Sequence, residues 1–312
     1  MRLVIEPSRA AVARFASSYV VEQVEKFCEA LEAHDDGSVF SICLSGQGRL
    51  MGTLLDALVA AHKASKLCFD RVAIFVSDEF VCDDMLLPLT QHTFFWHRLF
   101  KHVNVRRENV YILDGSVEDW AGECGRFEAA IKASGGLDLV VTESGPSGEI
   151  ARNAPGSSLS SQTRATLLNY DAAVDVAEHL FDGEVDMVPR MCLTVGLQTI
   201  LQAAEVVLLF AGIHKSVALE NCVEHPVSHM WPVSSVQRHC CCMIVCDEAA
   251  TMELRVGTVR YFEGLQCTAN LTAENPPPSF TRRPPWQTRR SADVSCGDGH
   301  CEFSSFYERH GN

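Results

Sequence analysis

Five apolar runs of five to seven residues recur along the chain: SVFSICL (38–44), RVAIFV (71–76), LDLVV (137–141), EVVLLF (205–210) and CCMIV (241–245). Odd and even positions within them are apolar alike, as in strands buried on both faces. The segments between carry apolar residues at helical spacing. Val12, Phe15, Tyr19, Val24, Phe27 and Leu31 predict an amphipathic helix over 10–31 that opens the fold, and 50–65, 120–134, 196–203 and 248–262 predict further helices. Strands alternating with helices imply an α/β architecture, a parallel sheet flanked by helices on both faces, with ligands bound at the carboxyl ends of the strands.

Beyond residue 266 the pattern stops. Residues 267–312 are rich in proline, arginine and serine without periodicity, the composition of a disordered tail. One large domain over 1–266 followed by that tail is the expected organisation. The paired arginines of the tail read either as a docking or targeting element or as a solvated stretch.

A formal net charge of −14 argues against a nucleic-acid partner, since neutralising phosphates needs clustered Lys and Arg. No apolar stretch approaches the roughly 20 residues that span a bilayer, and the N-terminus meets Glu6 and Pro7 too early for a signal peptide. A cytoplasmic protein with no membrane partner is expected. The 14 cysteines read as reduced thiols packed as small hydrophobes. His239, Cys240, Cys241 and Cys242, with Cys246, cannot converge on one ion, because neighbours in a strand point to opposite faces. The segment CGDGHC (296–301) has better ligand types but lies in the tail. Neither a metal nor another cofactor is expected.

Three strand ends carry candidate chemistry. LSGQG (44–48) has the form of a phosphate cradle, in which backbone N–H groups and a helix N-terminus face an anion, though any tight strand-to-helix turn uses glycine. SDEF (77–80) offers Asp78, a carboxylate that desolvation would make more basic, or an ordinary loop acid. ESGPSGEIARNAP (143–155) is a glycine-rich turn with neither histidine nor aspartate.

The motifs LTVGLQTIL (193–201), GIHKSVAL (212–219), VSHMWPVSSVQRH (227–239) and CDEAATMELRVGTVRYF (246–262) closely resemble the glucosamine-6-phosphate deaminase family. The likeness continues through FVSDEFV (75–81), HRLFKHVNVRRENVYILDG (97–115) and PGSSLSSQTR (155–164), and covers about residues 1–265. It implies a Rossmann-like fold and, for an active member, conversion of glucosamine 6-phosphate and water to fructose 6-phosphate and ammonia. It also implies a homo-oligomer, hexameric in many members, some with an N-acetylglucosamine 6-phosphate allosteric site.

That chemistry opens the sugar ring, moves a proton between C2 and C1 and releases ammonia. By the resemblance, Asp78 occupies the position of the base. The D-G-H-I-A-F-N-E-P part of the family's ring-opening pattern G-x-x-D-G-H-I-A-F-N-E-P falls on SGEIARNAP (147–155) within GPSGEIARNAP, which keeps Gly148, Ile150, Ala151, Asn153 and Pro155. Ser147 stands for the aspartate, Glu149 for the histidine and Ala154 for the glutamate. A histidine exchanges a proton near neutral pH while its carboxylate partners fix its tautomer. Serine and alanine cannot give that support, and Glu149 serves as an acid only with a raised pKa.

At the phosphate end the family's T-G-G-T-P becomes Ser45, Gly46, Gln47, Gly48 and Arg49, and Lys215 matches the phosphate-binding lysine. The family arginine falls at Glu178 or His179, neither of which offers a bidentate guanidinium. Ser157, Ser158 and Arg164 match positions that bind the effector's phosphate, with Thr166 where a lysine is usual. These substitutions imply a homologue that binds an amino-sugar or hexose 6-phosphate with its catalysis impaired or lost. The alternatives are an active deaminase working through Asp78 and Glu149, and a structural or interaction protein with an empty pocket.

Overall fold

In the computed structural model, which describes residues 1–33, 37–82, 90–168 and 170–274, the five apolar runs become strands of one seven-stranded sheet. Its order is β1 (Arg2–Glu6), β10 (Cys242–Asp247), β9 (Glu205–Phe210), β6 (Leu139–Glu143), β2 (Phe40–Ser45), β3 (Val72–Val76) and β5 (Val110–Tyr111), parallel throughout. Successive side chains in a strand leave by opposite faces, so the runs feed two cores. Ile42, Leu44, Val207, Leu209, Met243 and Val245 enter one with α1 (Arg9–Ala33), α2 (Arg49–Lys63) and α3 (Gln91–Arg98). Cys43, Val206, Leu208, Cys242, Ile244 and Cys246 enter the other with α4 (Trp120–Ala133), α6 (Leu197–Leu201) and α7 (Ser216–Val223).

The stripe on α1 does what its spacing predicts. Val12, Tyr19, Val24 and Phe27 are at most 3% exposed, and burying side chains of this size contributes about 1.5–3 kcal/mol each. Buried Cys43, Cys242 and Cys246 pack as small hydrophobes.

Three expectations about the elements are corrected. A strand, not a helix, opens the fold: β1 precedes α1 and pairs with β10 from Arg2↔Met243 to Glu6↔Asp247. Five residues ending in an acid are too short for their period to stand out. The parallel sheet also has a companion, an antiparallel sheet of β4 (Asp78–Phe80), β8 (Met191–Thr194) and β7 (Arg164–Leu167). It packs with α5 (Tyr170–Leu180) over a third, smaller core. Finally, 248–262 is not one helix. The Asp247 side chain accepts from Ala250 N–H and starts a 3-10 turn, Glu248–Thr251; α8 (Val256–Glu274) then begins anew and crosses the point where the composition changes.

The tail beyond Glu274, with its arginine pairs and CGDGHC, lies outside the described residues. Among those described, no helix is long and apolar enough to cross a membrane.

The strand order reverses between β2 and β6. From β2 the chain builds outward through β3 and β5, and from β6 it builds the other way through β9 and β10. Loops leaving two such neighbours diverge and open a crevice at the carboxyl edge of the sheet.

Candidate active site

A cleft of about 330 Å³ fills that crevice, and Ser45, Gly46, Gln47, Gly48 and Arg49 all line it. Gly46 takes a φ of +127°, which residues with a side chain rarely adopt. The chain then enters α2 through Gly48, which offers the helix no side-chain cap. A cradle with unsatisfied N–H donors results, but a carboxylate already sits in it. Glu143, the last residue of β6, accepts a hydrogen bond from Met51 N–H in the first turn of α2. A Cβ on Gly48 would stand 2.9 Å from its Oε2 and one on Gly46 3.4 Å from its Oε1.

Lys215 reaches the same cleft from β9's side. Asp247 accepts from Gly212 N–H at 2.9 and 3.0 Å and fixes a backbone with φ of +94°. The Ile213–Lys215 turn that follows brings the Lys215 ammonium to the carbonyl of Ser144.

Asp78 is 2% exposed. Its Oδ1 accepts from Ser77 Oγ at 2.5 Å, and its Oδ2 accepts from Gln91 Nε2 at 3.0 Å and from Arg152 Nε at 2.9 Å. Arg152 occupies the phenylalanine position of the ring-opening pattern, and its guanidinium lies 4.9 Å over the Phe80 ring. Burial works against the charge on Arg152, yet Asp78 holds its pKa above the ordinary arginine value. The neighbouring Glu79 accepts the backbone N–H groups of Phe80, Gln91 and His92 at the start of α3. Burial pushes its carboxyl up to about 7 against the pull of those three bonds.

The turn 145–155 keeps its shape through the residues that match the pattern. Gly145 N–H donates to Glu149 O, Gly148 N–H to Gly145 O and Val233 N–H to Gly148 O. The Asn153 amide donates to Ile150 O at 3.0 Å and to Val195 O at 2.8 Å. Ala151 sits at φ of +53°, a strained position that the surrounding bonds must hold. Two of the residues that differ from the pattern bond to each other. Ser147 Oγ–H donates to Glu149 Oε2, and the Glu149 carboxylate folds back over Gly145. Glu149 lines the cleft, whereas Ser147 and Ala154 are not part of its wall.

Outside the cleft, Arg164 donates to Asn153 Oδ1 at 2.7 Å and to Ser157 Oγ at 3.2 Å, while Ser158 pairs its hydroxyl with Ser160. The structure thus joins Ser157 to Arg164 and leaves Ser158 apart. Glu178 is exposed on α5, and the side chain of His179 lies outside the described residues. His239 is used by the backbone: Nε2 pairs with Ala203 O at 2.9 Å and Nδ1 accepts from Cys241 N–H at 3.0 Å. No group of side chains able to hold a metal occurs among the described residues.

Sequence reasoning passed over two residues, Arg152 and Glu143. An arginine in the pattern's phenylalanine position was a readable signal. Nothing in the sequence says that an acid closing one strand turns into the loop of its neighbour. With them, four cationic side chains (Arg9, Arg49, Arg152, Lys215) and three carboxylates (Asp78, Glu143, Glu149) line the cleft.

Fold and site together define a doubly wound α/β protein with a charged small-molecule cleft at its strand switch. A family model described as glucosamine-6-phosphate isomerases/6-phosphogluconolactonase matches residues 7–244. Glucosamine-6-phosphate deaminase 2 of Mus musculus is 40% identical over 270 residues, covering 86% of this chain and 95% of that protein. The glucosamine-6-phosphate deaminase of Drosophila melanogaster is 38% identical over 265 residues, covering 85% and 94%. The chain belongs to the glucosamine-6-phosphate deaminase family.

Among solved structures, a monomeric glucosamine-6-phosphate deaminase matches with a TM-score of 0.73 at 24% identity, covering 82% of this chain and 100% of that one. The 6-phosphogluconolactonase from Trypanosoma cruzi matches with a TM-score of 0.61 at 18% identity, covering 81% and 96%. At these identities the likeness is one of fold.

Proposed function

We propose that the cleft receives an amino-sugar or hexose 6-phosphate, and that the chain turns such a ligand over far more slowly than a deaminase with an intact ring-opening turn, or not at all. The observation that carries this reading is the 2.9 Å ion pair between Arg152 and Asp78. A base that moves a proton between C2 and C1 needs a carboxylate oxygen within reach of that proton. Both oxygens of Asp78 already accept hydrogen bonds, one of them from a guanidinium. The turn beside it offers a glutamate bonded to a serine in place of an imidazole.

A second reading has the support of 38–40% identity to proteins named as deaminases. It is deamination of glucosamine 6-phosphate to fructose 6-phosphate and ammonia, with Asp78 as base once Arg152 has moved aside and Glu149 as acid. Ammonia release separates the two. The native chain is expected to be silent, or at least about 10²-fold slower than a variant carrying Ser147→Asp, Glu149→His, Arg152→Phe and Ala154→Glu. Turnover by the native chain that Glu149→Gln abolishes would establish the second reading instead.

Ligand binding is read separately, as a rise in melting temperature with hexose 6-phosphate. No rise at any concentration would leave a protein that works through contacts alone. Self-association as a homo-oligomer belongs to the same proposal, and light scattering on the purified chain tests it.

A further inference from the structure

We infer that Glu143 gates the phosphate end of the cleft: its carboxylate occupies the place a ligand's phosphate would take, so a phosphorylated sugar binds only after that side chain swings away. The inference rests on reading the cleft as a sugar-phosphate site. α2 has 15 residues and begins at a glycine without a side-chain cap, so its first N–H groups need an acceptor from elsewhere. Glu143 supplies one across the strand switch, at Met51 N–H. It also fills the space that the two glycines leave open, with its carboxylate oxygens 2.9 Å and 3.4 Å from where Cβ atoms on Gly48 and Gly46 would stand. Its own charge then opposes any second anion in the same loop.

The gate is a side chain and not a loop. The Glu143 backbone is fixed in β6, paired with Leu209 of β9, so opening requires only rotation about its side-chain bonds. Arg49, exposed at the mouth, and Lys215, partly buried beside Ser144, line the same cleft and present cations to a phosphate that displaces the carboxylate. The closed state lowers apparent affinity by the fraction of molecules with the cradle open. Such a chain responds to a phosphorylated sugar only when that sugar is abundant.

The test is isothermal titration of the full chain with fructose 6-phosphate, beside fructose as the control without a phosphate. Glu143→Gln keeps the shape and removes the charge, and is expected to bind fructose 6-phosphate about tenfold or more tighter than the native chain. Its response to fructose should be unchanged. Glu143→Ala is expected to shift affinity in the same direction and serves if the glutamine variant does not fold. Should the native chain and the folded variants bind fructose 6-phosphate equally well, Glu143 is only a helix cap, and the inference falls while the sugar-phosphate reading stands. If the native chain and folded variants all fail to bind it, both fall together.

Discussion

Arg152 and Asp78 hold each other where little water reaches: their side chains are 18% and 3% exposed. In such a place the loss of one partner strands the charge of the other. Arg152→Met is therefore expected to lower the unfolding free energy by about 3 kcal/mol in urea titrations. The double variant with Asp78→Asn should lose clearly less than the sum of the two single variants. Strict additivity would mean that the pair is not coupled and that Arg152 does not restrain Asp78. At this scale much of the site was legible. Asp78, Gly46, Gly48 and Glu149, all singled out from the sequence, line the cleft, whereas Ser147 and Ala154 do not. What the sequence withheld was direction, because a glutamate closing β6 looks the same whether it points to solvent or into the loop after β2.

The turn 145–155 shows how an element's form and its polar side chains are set separately. Its bonds run through backbone atoms and through the Asn153 amide, none of which depends on the side chains at 147, 149 or 154. Its weak point is Gly148, with φ of +76° and Trp231 2.6 Å from where a Cβ would be. Gly148→Ala should cost about 1–3 kcal/mol. Gly125→Ala, on the exposed face of α4 with nothing within 4 Å, should instead stabilise by about 0.5–1 kcal/mol. Thermal melts of the two variants check both signs. The long apolar runs and amphipathic helices were readable because burial on two faces or on one stripe writes itself into composition. The antiparallel sheet was not, since strands of three and four residues are too brief for a period, and β4 pairs with a strand more than a hundred residues away.

Across the whole molecule, the far end of the sheet carries a charge problem of its own. Glu205, at the start of β9, accepts from the Tyr19 hydroxyl at 2.6 Å. Burial pushes its pKa up to about 7, while Tyr19 and Lys26 pull the other way. The folded chain thus keeps a proton that the unfolded chain releases near 4.5. The stability this confers is full below the unfolded value and is lost as pH rises through about 7. Glu79, also raised to about 7 by burial, acts in the same sense. The urea midpoint of the native chain is expected to fall between about pH 5 and pH 8, and Glu205→Gln, which keeps an acceptor for Tyr19, should flatten that fall. An unchanged slope in the variant would assign the pH dependence to other groups.

The pairing of β1 with β10 bears on how the protein is made. β1 is made long before its partner: among the described residues it has a single neighbour in the sheet, Cys242–Asp247. At ordinary rates of synthesis the apolar Leu3, Val4 and Ile5 wait on the order of tens of seconds for their partner to emerge. Until then β1 remains unpaired in the nascent chain, and a chain released before residue 242 can never pair it.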